Sequence, residues 1–128
     1  MSDMGTFRID FAIASQIVRE RQVPVTGALV ETGSEASWIP AGILESLGIP
    51  RLRRGSYRQA TGQVIERWSG PAVVFAAGTF ASDDVVFAEP GDLTLLGART
   101  LEGLNVTVDP ISKRLVDAGP MPAAAVAA

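Results

Sequence analysis

The segment Ala28-Leu29-Val30-Glu31-Thr32-Gly33-Ser34-Glu35 carries a carboxylate at the end of an apolar run, with a hydroxyl residue and a glycine directly behind it. A carboxylate that is to do chemistry needs a fixed direction, which the end of a rigid strand supplies. Gly33 lets the backbone turn sharply, and Thr32 offers a hydroxyl that can bond to a neighbouring loop. Two such carboxylates brought into contact cannot both ionise cheaply, so they share a proton. One then serves as base toward a water while the other polarises a carbonyl. The alternative for Glu31 is a surface carboxylate beside an ordinary turn. Against it stand the apolar and small residues before Glu31 and the Trp38-Ile39 pair after it.

Composition narrows the other options. The chain has 128 residues, no cysteine and no histidine. Thiol catalysis, zinc-thiolate sites, Ser-His-Asp triads and His-rich metal sites are therefore excluded. Asp83-Asp84 and Asp92 are expected in loops, and their spacing makes no calcium loop. No metal and no cofactor is expected. The net charge of −3 argues against nucleic acid as a partner, which usually calls for a basic face. The acidic start Met1-Ser2-Asp3-Met4 lacks the basic and apolar regions of a signal peptide, and the apolar run Ala72 to Ala77 is too short to span a bilayer. The expectation is a cytoplasmic protein with no membrane partner. It is one domain over 1–128, with its core at about 7–116 and a mobile Ala-rich tail at 117–128.

The elements that must position Glu31 read as short strands. Phe7, Ile9, Phe11 and Ile13 alternate with Arg8, Asp10 and Ala12, the period of a half-buried strand. Arg19 to Gln22 is a polar turn before a strand at Val23 to Val30. Trp38-Ile39 ends a short strand, and Pro40 opens a helix over Ala41 to Leu47 that closes at Gly48. Tyr57 to Ala60 and Gln63 to Trp68 flank a hairpin tip at Thr61-Gly62, and Ala72 to Ala77 and Thr79 to Ala88 flank another at Gly78. Leu93 to Leu96 predicts a strand buried on both faces. A helical turn at Thr100 to Leu104 and strands at Asn105 to Val108 and Arg114 to Val116 complete an all-β pattern.

A repeat runs through this pattern. Leu44-Glu45-Ser46-Leu47-Gly48-Ile49 is similar to Leu101-Glu102-Gly103-Leu104-Asn105-Val106, and each follows an apolar strand and a glycine. The bland reading is that Leu-Glu-x-Leu is a common helical tetrapeptide. The preserved order of strand, glycine loop, short helix and strand favours internal pseudo-twofold symmetry.

Together these features resemble single-domain, retropepsin-like aspartic peptidases over about Phe7 to Val116. Leu29-Val30-Glu31-Thr32-Gly33-Ser34 is similar to the family's apolar-apolar-Asp-Thr-Gly-Ala/Ser. Leu95-Leu96-Gly97 is similar to its apolar-apolar-Gly, and the hairpin around Thr61-Gly62 lies where the family has its flap. The resemblance implies an acid-protease barrel with one or two short helices. It also implies a homodimer acting on a peptide or protein substrate, because each chain supplies one carboxylate. It makes Glu31, Thr32 and Gly33 the catalytic motif, and it places Ser34, Glu35, Ala60, Thr61, Gly62 and Leu96 at the substrate groove. Glu35 stands where the family often has an acid paired with an arginine, here Arg99, although a solvated surface position is the competing reading. Arg51, Arg53, Arg54 and Arg58 read as a solvated strand face, with attraction of acidic peptides as the alternative. Trp38 and Trp68 read as core or flap packing.

Glu31 departs from the family pattern. It keeps the charge but moves the carboxyl outward by about one carbon–carbon bond and adds a torsion. A displacement on the order of 1 Å can cost about a hundredfold in rate. Two readings follow: an attenuated aspartic-type endopeptidase, or a catalytically silent dimerisation or peptide-binding module of the same fold. An unrelated small β-barrel would explain neither glycine motif.

Overall fold

The computed structural model describes residues 7–124. In chain order the elements are β1 (Phe7–Ala14), β2 (Val23–Glu31), β3 (Trp38–Pro40), α1 (Ala41–Ser46), β4 (Arg53–Arg58), β5 (Val64–Ala76), β6 (Thr79–Ala88), β7 (Leu95–Gly97), α2 (Ala98–Gly103), β8 (Val106–Asp109) and β9 (Arg114–Asp117). The chain is mostly β-sheet with two short helices, as the alternation of apolar and polar residues predicts. No described helix is long and apolar enough to cross a membrane.

Strand pairing runs β1-β2-β7-β3-β6-β5, and β5 also pairs with β1, so the order closes on itself. β4 stands outside this ring, paired only with the first half of β5. β8 and β9 form a separate antiparallel pair. The sheet and α1 bury one cluster of apolar side chains, with Ile13, Val30, Ile39, Leu44, Val74 and Leu96 each at 0% exposure.

The two similar hexapeptides adopt the same helix ending. Gly48 and Asn105 both take the left-handed backbone region, at φ 70° and 55°. The Gly48 N–H donates to Glu45 O and the Asn105 N–H to Glu102 O, each at 3.0 Å. Leu44 and Leu47, like Leu101 and Leu104, are buried beneath. Glycine and asparagine are the residues that enter this region at least cost.

Three sequence expectations need correction. First, β5 is one strand of 13 residues and continues through Ser69-Gly70-Pro71. Pro71 pairs with Asp84 of β6 but has an empty flank on its other side, since β4 ends opposite Ser69 and β1 begins opposite Val73. A missing N–H on that flank breaks no ladder. Gly70 is required nearby, because a Cβ there would lie 2.0 Å from Pro50 O. Second, Asp83 and Asp84 lie on β6 rather than in a loop. Third, the strand expected at Leu93 starts only at Leu95, and Leu93 is 58% exposed. Asp92 is drawn to Arg67, and the segment joins β2 only from the Thr94 carbonyl, which accepts from the Leu29 N–H at 2.9 Å. Where the tail is expected to begin, the Gly119 carbonyl accepts from Asn105 Nδ2 at 2.8 Å. The tail's last residues, 125–128, lie outside the described residues, as does the acidic start.

Candidate functional site

Glu31 is the last residue of β2, and its register partner on the parallel strand β7 is Gly97. β7 lies between β2 and β3. The segment 32–37 that joins β2 to β3 must therefore pass over the end of β7. This crossing explains the glycine of Leu95-Leu96-Gly97. A Cβ at residue 97 would stand 2.4 Å from Ala36 O and 2.8 Å from Ser34 O, closer than real Cβ contacts come.

The start of α2 holds the crossing segment through its backbone. A helix leaves its first N–H groups without partners inside the helix. Here the Ala98 N–H donates to Ser34 O at 2.7 Å and the Arg99 N–H to Glu35 O at 3.0 Å. The Gly97 N–H donates to Ser37 Oγ at 2.9 Å. Three consecutive amides thus fix the backbone of the Glu31 turn against the helix.

Within the turn, the Ser34 N–H donates to Glu31 O at 3.2 Å, and Glu31 Oε1 accepts the Gly33 N–H at 2.9 Å. The carboxylate is half-buried and folded back onto its own turn, with a Cβ at residue 33 set to press on it at 3.1 Å. Its other oxygen accepts no hydrogen bond among the described residues. Thr32 and Gly33 are exposed at the crest. Ser34 Oγ donates to Ala36 O at 2.8 Å, which stiffens the descent.

The remaining expected site residues are dispersed. Glu35 is exposed and is not the side-chain partner of Arg99. Arg99 instead donates to Asp83 Oδ1 at 2.7 Å and to Asp84 O at 2.7 Å, because α2 packs against β6. The hydrogen bond to Asp83 holds the Arg99 guanidinium above its ordinary pKa, with the charges of Asp83, Asp84 and, least, Glu35 adding to it against the cost of burial. Leu96 is fully buried in the core, so its role is packing rather than lining a groove. Ala60, Thr61 and Gly62 are exposed at the tip of the β4–β5 hairpin, where the Gly62 N–H donates to Gln59 O at 2.8 Å. Their hydrogen bonds close the turn itself and do not reach the Glu31 segment. The hairpin is joined to the neighbourhood of the site lower down, where Tyr57 meets Trp38 edge to face at 5.2 Å. Two surface depressions, one along Phe75 to Phe80 and one between α1 and the 88–94 segment, lie away from Glu31.

Arg54 and Arg51 sit on aromatic faces, over Trp68 at 5.4 Å and over Phe87 at 4.4 Å. Each is also paired with a carboxylate, Glu66 at 3.1 Å and Glu45 at 2.7 Å. This agrees with a solvated, internally paired face. Ser37, Thr100 and Asp83 were not expected at the site. Ser37 Oγ lies 2.5 Å from Thr100 Oγ1, and Thr100 Oγ1 donates to Asp83 Oδ2 at 2.6 Å. Nothing in the sequence around Ser37, Thr100 or Asp83 marks them as meeting.

Compared with known proteins, the chain matches no protein-family model and no curated protein.

Proposed function

We propose that this protein is an aspartic-type endopeptidase that works as a homodimer, with Glu31 of each chain supplying one of two paired carboxyl groups. The observation that carries this reading is the setting of Glu31. It ends a strand paired with β7, accepts the Gly33 N–H through one oxygen, and has a second oxygen that accepts no hydrogen bond among the described residues, beside an exposed Thr32-Gly33 crest. The closed order of strands and the paired helix endings agree with the pseudo-symmetric acid-protease barrel that the sequence resembles.

In the dimer the two carboxyl groups share one proton, because like charges in contact resist full ionisation. The ionised carboxylate takes a proton from a water as its oxygen bonds to the scissile carbonyl carbon. The protonated carboxyl gives its proton to the carbonyl oxygen. In the breakdown of the tetrahedral intermediate the first carboxyl gives its proton to the leaving nitrogen as the carbon–nitrogen bond breaks, and the second carboxylate takes a proton from one hydroxyl of the intermediate, which restores the shared proton. Positioned proton transfer of this kind contributes about 10²–10⁴-fold to rate.

A second reading is a dimerising or peptide-binding module without turnover. It is favoured by the same hydrogen bond, since the longer Glu side chain reaches back to its own turn instead of pointing outward. The two readings part on concentration dependence. For a dimeric peptidase, cleavage of a mixed peptide library per chain rises with protein concentration in step with the dimer seen by sedimentation. Cleavage by a strict monomer, or a full dimer that cleaves nothing, overturns the peptidase reading.

A further inference from the structure

We propose that Ser37, Thr100 and Asp83 form a one-way hydrogen-bond relay that positions the Glu31 turn, with the three side chains acting as positioning residues. The functional consequence rests on the peptidase reading above; the structural relay does not.

The direction of each bond follows from the chemistry of its end groups. An ionised Asp83 can only accept. It accepts three times: Oδ2 from Thr100 Oγ1 at 2.6 Å, and Oδ1 from Arg99 Nε at 2.7 Å and the Asp84 N–H at 2.8 Å. The Thr100 hydroxyl proton is therefore committed to Asp83. Its oxygen must then accept the Ser37 hydroxyl proton across the 2.5 Å contact. The Ser37 oxygen is left to accept, and it takes the Gly97 N–H at 2.9 Å. Each hydroxyl has one proton and one orientation.

Burial makes the relay all-or-none. Ser37 and Thr100 are both 0% exposed, and the Asp83 side chain is 6% exposed. Bulk solvent does not reach either hydroxyl, and no buried side-chain nitrogen or oxygen among the described residues lacks a partner. Removing one hydroxyl strands its neighbours, and an unpaired buried polar group costs more than the bond was worth. The relay ends on Gly97, the register partner of Glu31 and the floor beneath Ala36 and Ser34. A shift of Gly97 is transmitted to the carbonyls that Ala98 and Arg99 hold, and so to the carboxylate on the Gly33 N–H. Packing alone would ask only for small side chains at positions 37 and 100. The hydroxyls are needed because a backbone N–H must be answered at the crossing.

The test compares Thr100→Val and Ser37→Ala, which remove a hydroxyl, with Thr100→Ser, which keeps it. Val73→Ala, a buried change on β5 outside the relay, is the control for lost stability. Amide hydrogen exchange at Gly97 and Gly33 and steady-state peptide cleavage are read on all forms. The expected result is faster exchange at Gly97 and Gly33 by about tenfold in Thr100→Val and Ser37→Ala, the equivalent of one lost buried hydrogen bond. That acceleration exceeds the control's at equal melting temperature and is reversed in Thr100→Ser. In cleavage, kcat falls by about ten- to a hundredfold while KM stays within about twofold, as a misplaced reacting group requires. Exchange and kcat that follow melting temperature alone, with Thr100→Ser no better than Thr100→Val, overturn the relay. If Thr100→Val does not fold, Ser37→Ala decides by the same readings. If no form cleaves peptide, the peptidase reading falls and the exchange comparison alone decides the relay.

Discussion

Glu31 and Gly97 face one another across a parallel pair of strands, and the chain that leaves Glu31 crosses directly over Gly97. The absence of a side chain at 97 is what allows that crossing, with Ala36 O set 2.4 Å from where a Cβ would stand. Replacing Gly97 by Ala should therefore lift the 34–36 segment. We expect Gly97→Ala to lose about 1–3 kcal/mol of stability, the usual cost of overpacking, and to lose peptide cleavage with it. Gly42 in α1 is the contrasting case, since nothing lies within 4 Å of its would-be Cβ. Gly42→Ala should be neutral or stabilising by up to about 1 kcal/mol. Thermal melting of the two variants measures both.

A second expectation concerns the ion pair that pins the segment before β7. Arg67 donates to both oxygens of Asp92, at 2.7 and 3.0 Å, and the Glu89 N–H adds a third bond at 2.8 Å. Both side chains are largely buried, at 16% and 10% exposure. The Arg67 hydrogen bonds hold the Asp92 pKa below its ordinary value, helped by the Glu89 N–H and the Arg67 charge and opposed by desolvation. A carboxylate whose folded pKa is depressed stabilises the fold above its unfolded pKa. That stability is fully present above about pH 4 and is lost as pH falls below it. Arg67→Met should cost about 1.5–3 kcal/mol near neutrality and flatten the acid limb of a melting-temperature profile. A variant with an unchanged acid limb would assign the acid sensitivity to other carboxylates.

Exchange along the β4–β5 hairpin should divide sharply. Residues 60–62 are exposed and bonded only within their own turn, whereas Ala72 to Val74 are fully buried between strands. Local opening is cheapest where few buried contacts are lost. Fast exchange at the tip, slowed by a bound peptide, is the behaviour of a cover over a groove. Strong protection of the tip in the free protein, unchanged by peptide, would mark it as ordinary sheet.

The legible parts of this chain are those written in neighbouring residues. Alternation placed β1 and Gly48 marked the end of α1, whereas Asn105, read as the start of a strand, ends α2 in the left-handed region with β8 starting at Val106. The turn at Glu31-Thr32-Gly33 was readable because an apolar run, a carboxylate and a glycine are adjacent in the chain. What remained hidden depends on distant partners. Pro71 signals a break, and only the vacant flank between β4 and β1 shows why the strand continues through it. Leu96 is fully buried, as the continuous apolar run that ends on it implies and against the groove position that the resemblance gives it. The resemblance pairs Arg99 with Glu35, while the packing of α2 on β6 gives it Asp83. Ser37 and Thr100 are separated by 63 residues, and a single sequence holds no sign that their hydroxyls meet.

The most direct measurement is peptide hydrolysis by the protein, Glu31→Asp and Glu31→Gln, each confirmed as a folded dimer, between weakly acidic and neutral pH. Paired carboxyl chemistry predicts weak cleavage by the protein and faster cleavage by Glu31→Asp, by about ten- to a hundredfold as the carboxyl returns to the shorter reach. It predicts none by Glu31→Gln, whose neutral amide cannot take a proton from water. Equal cleavage by the protein and by Glu31→Gln, or an inert Glu31→Asp dimer, would contradict it.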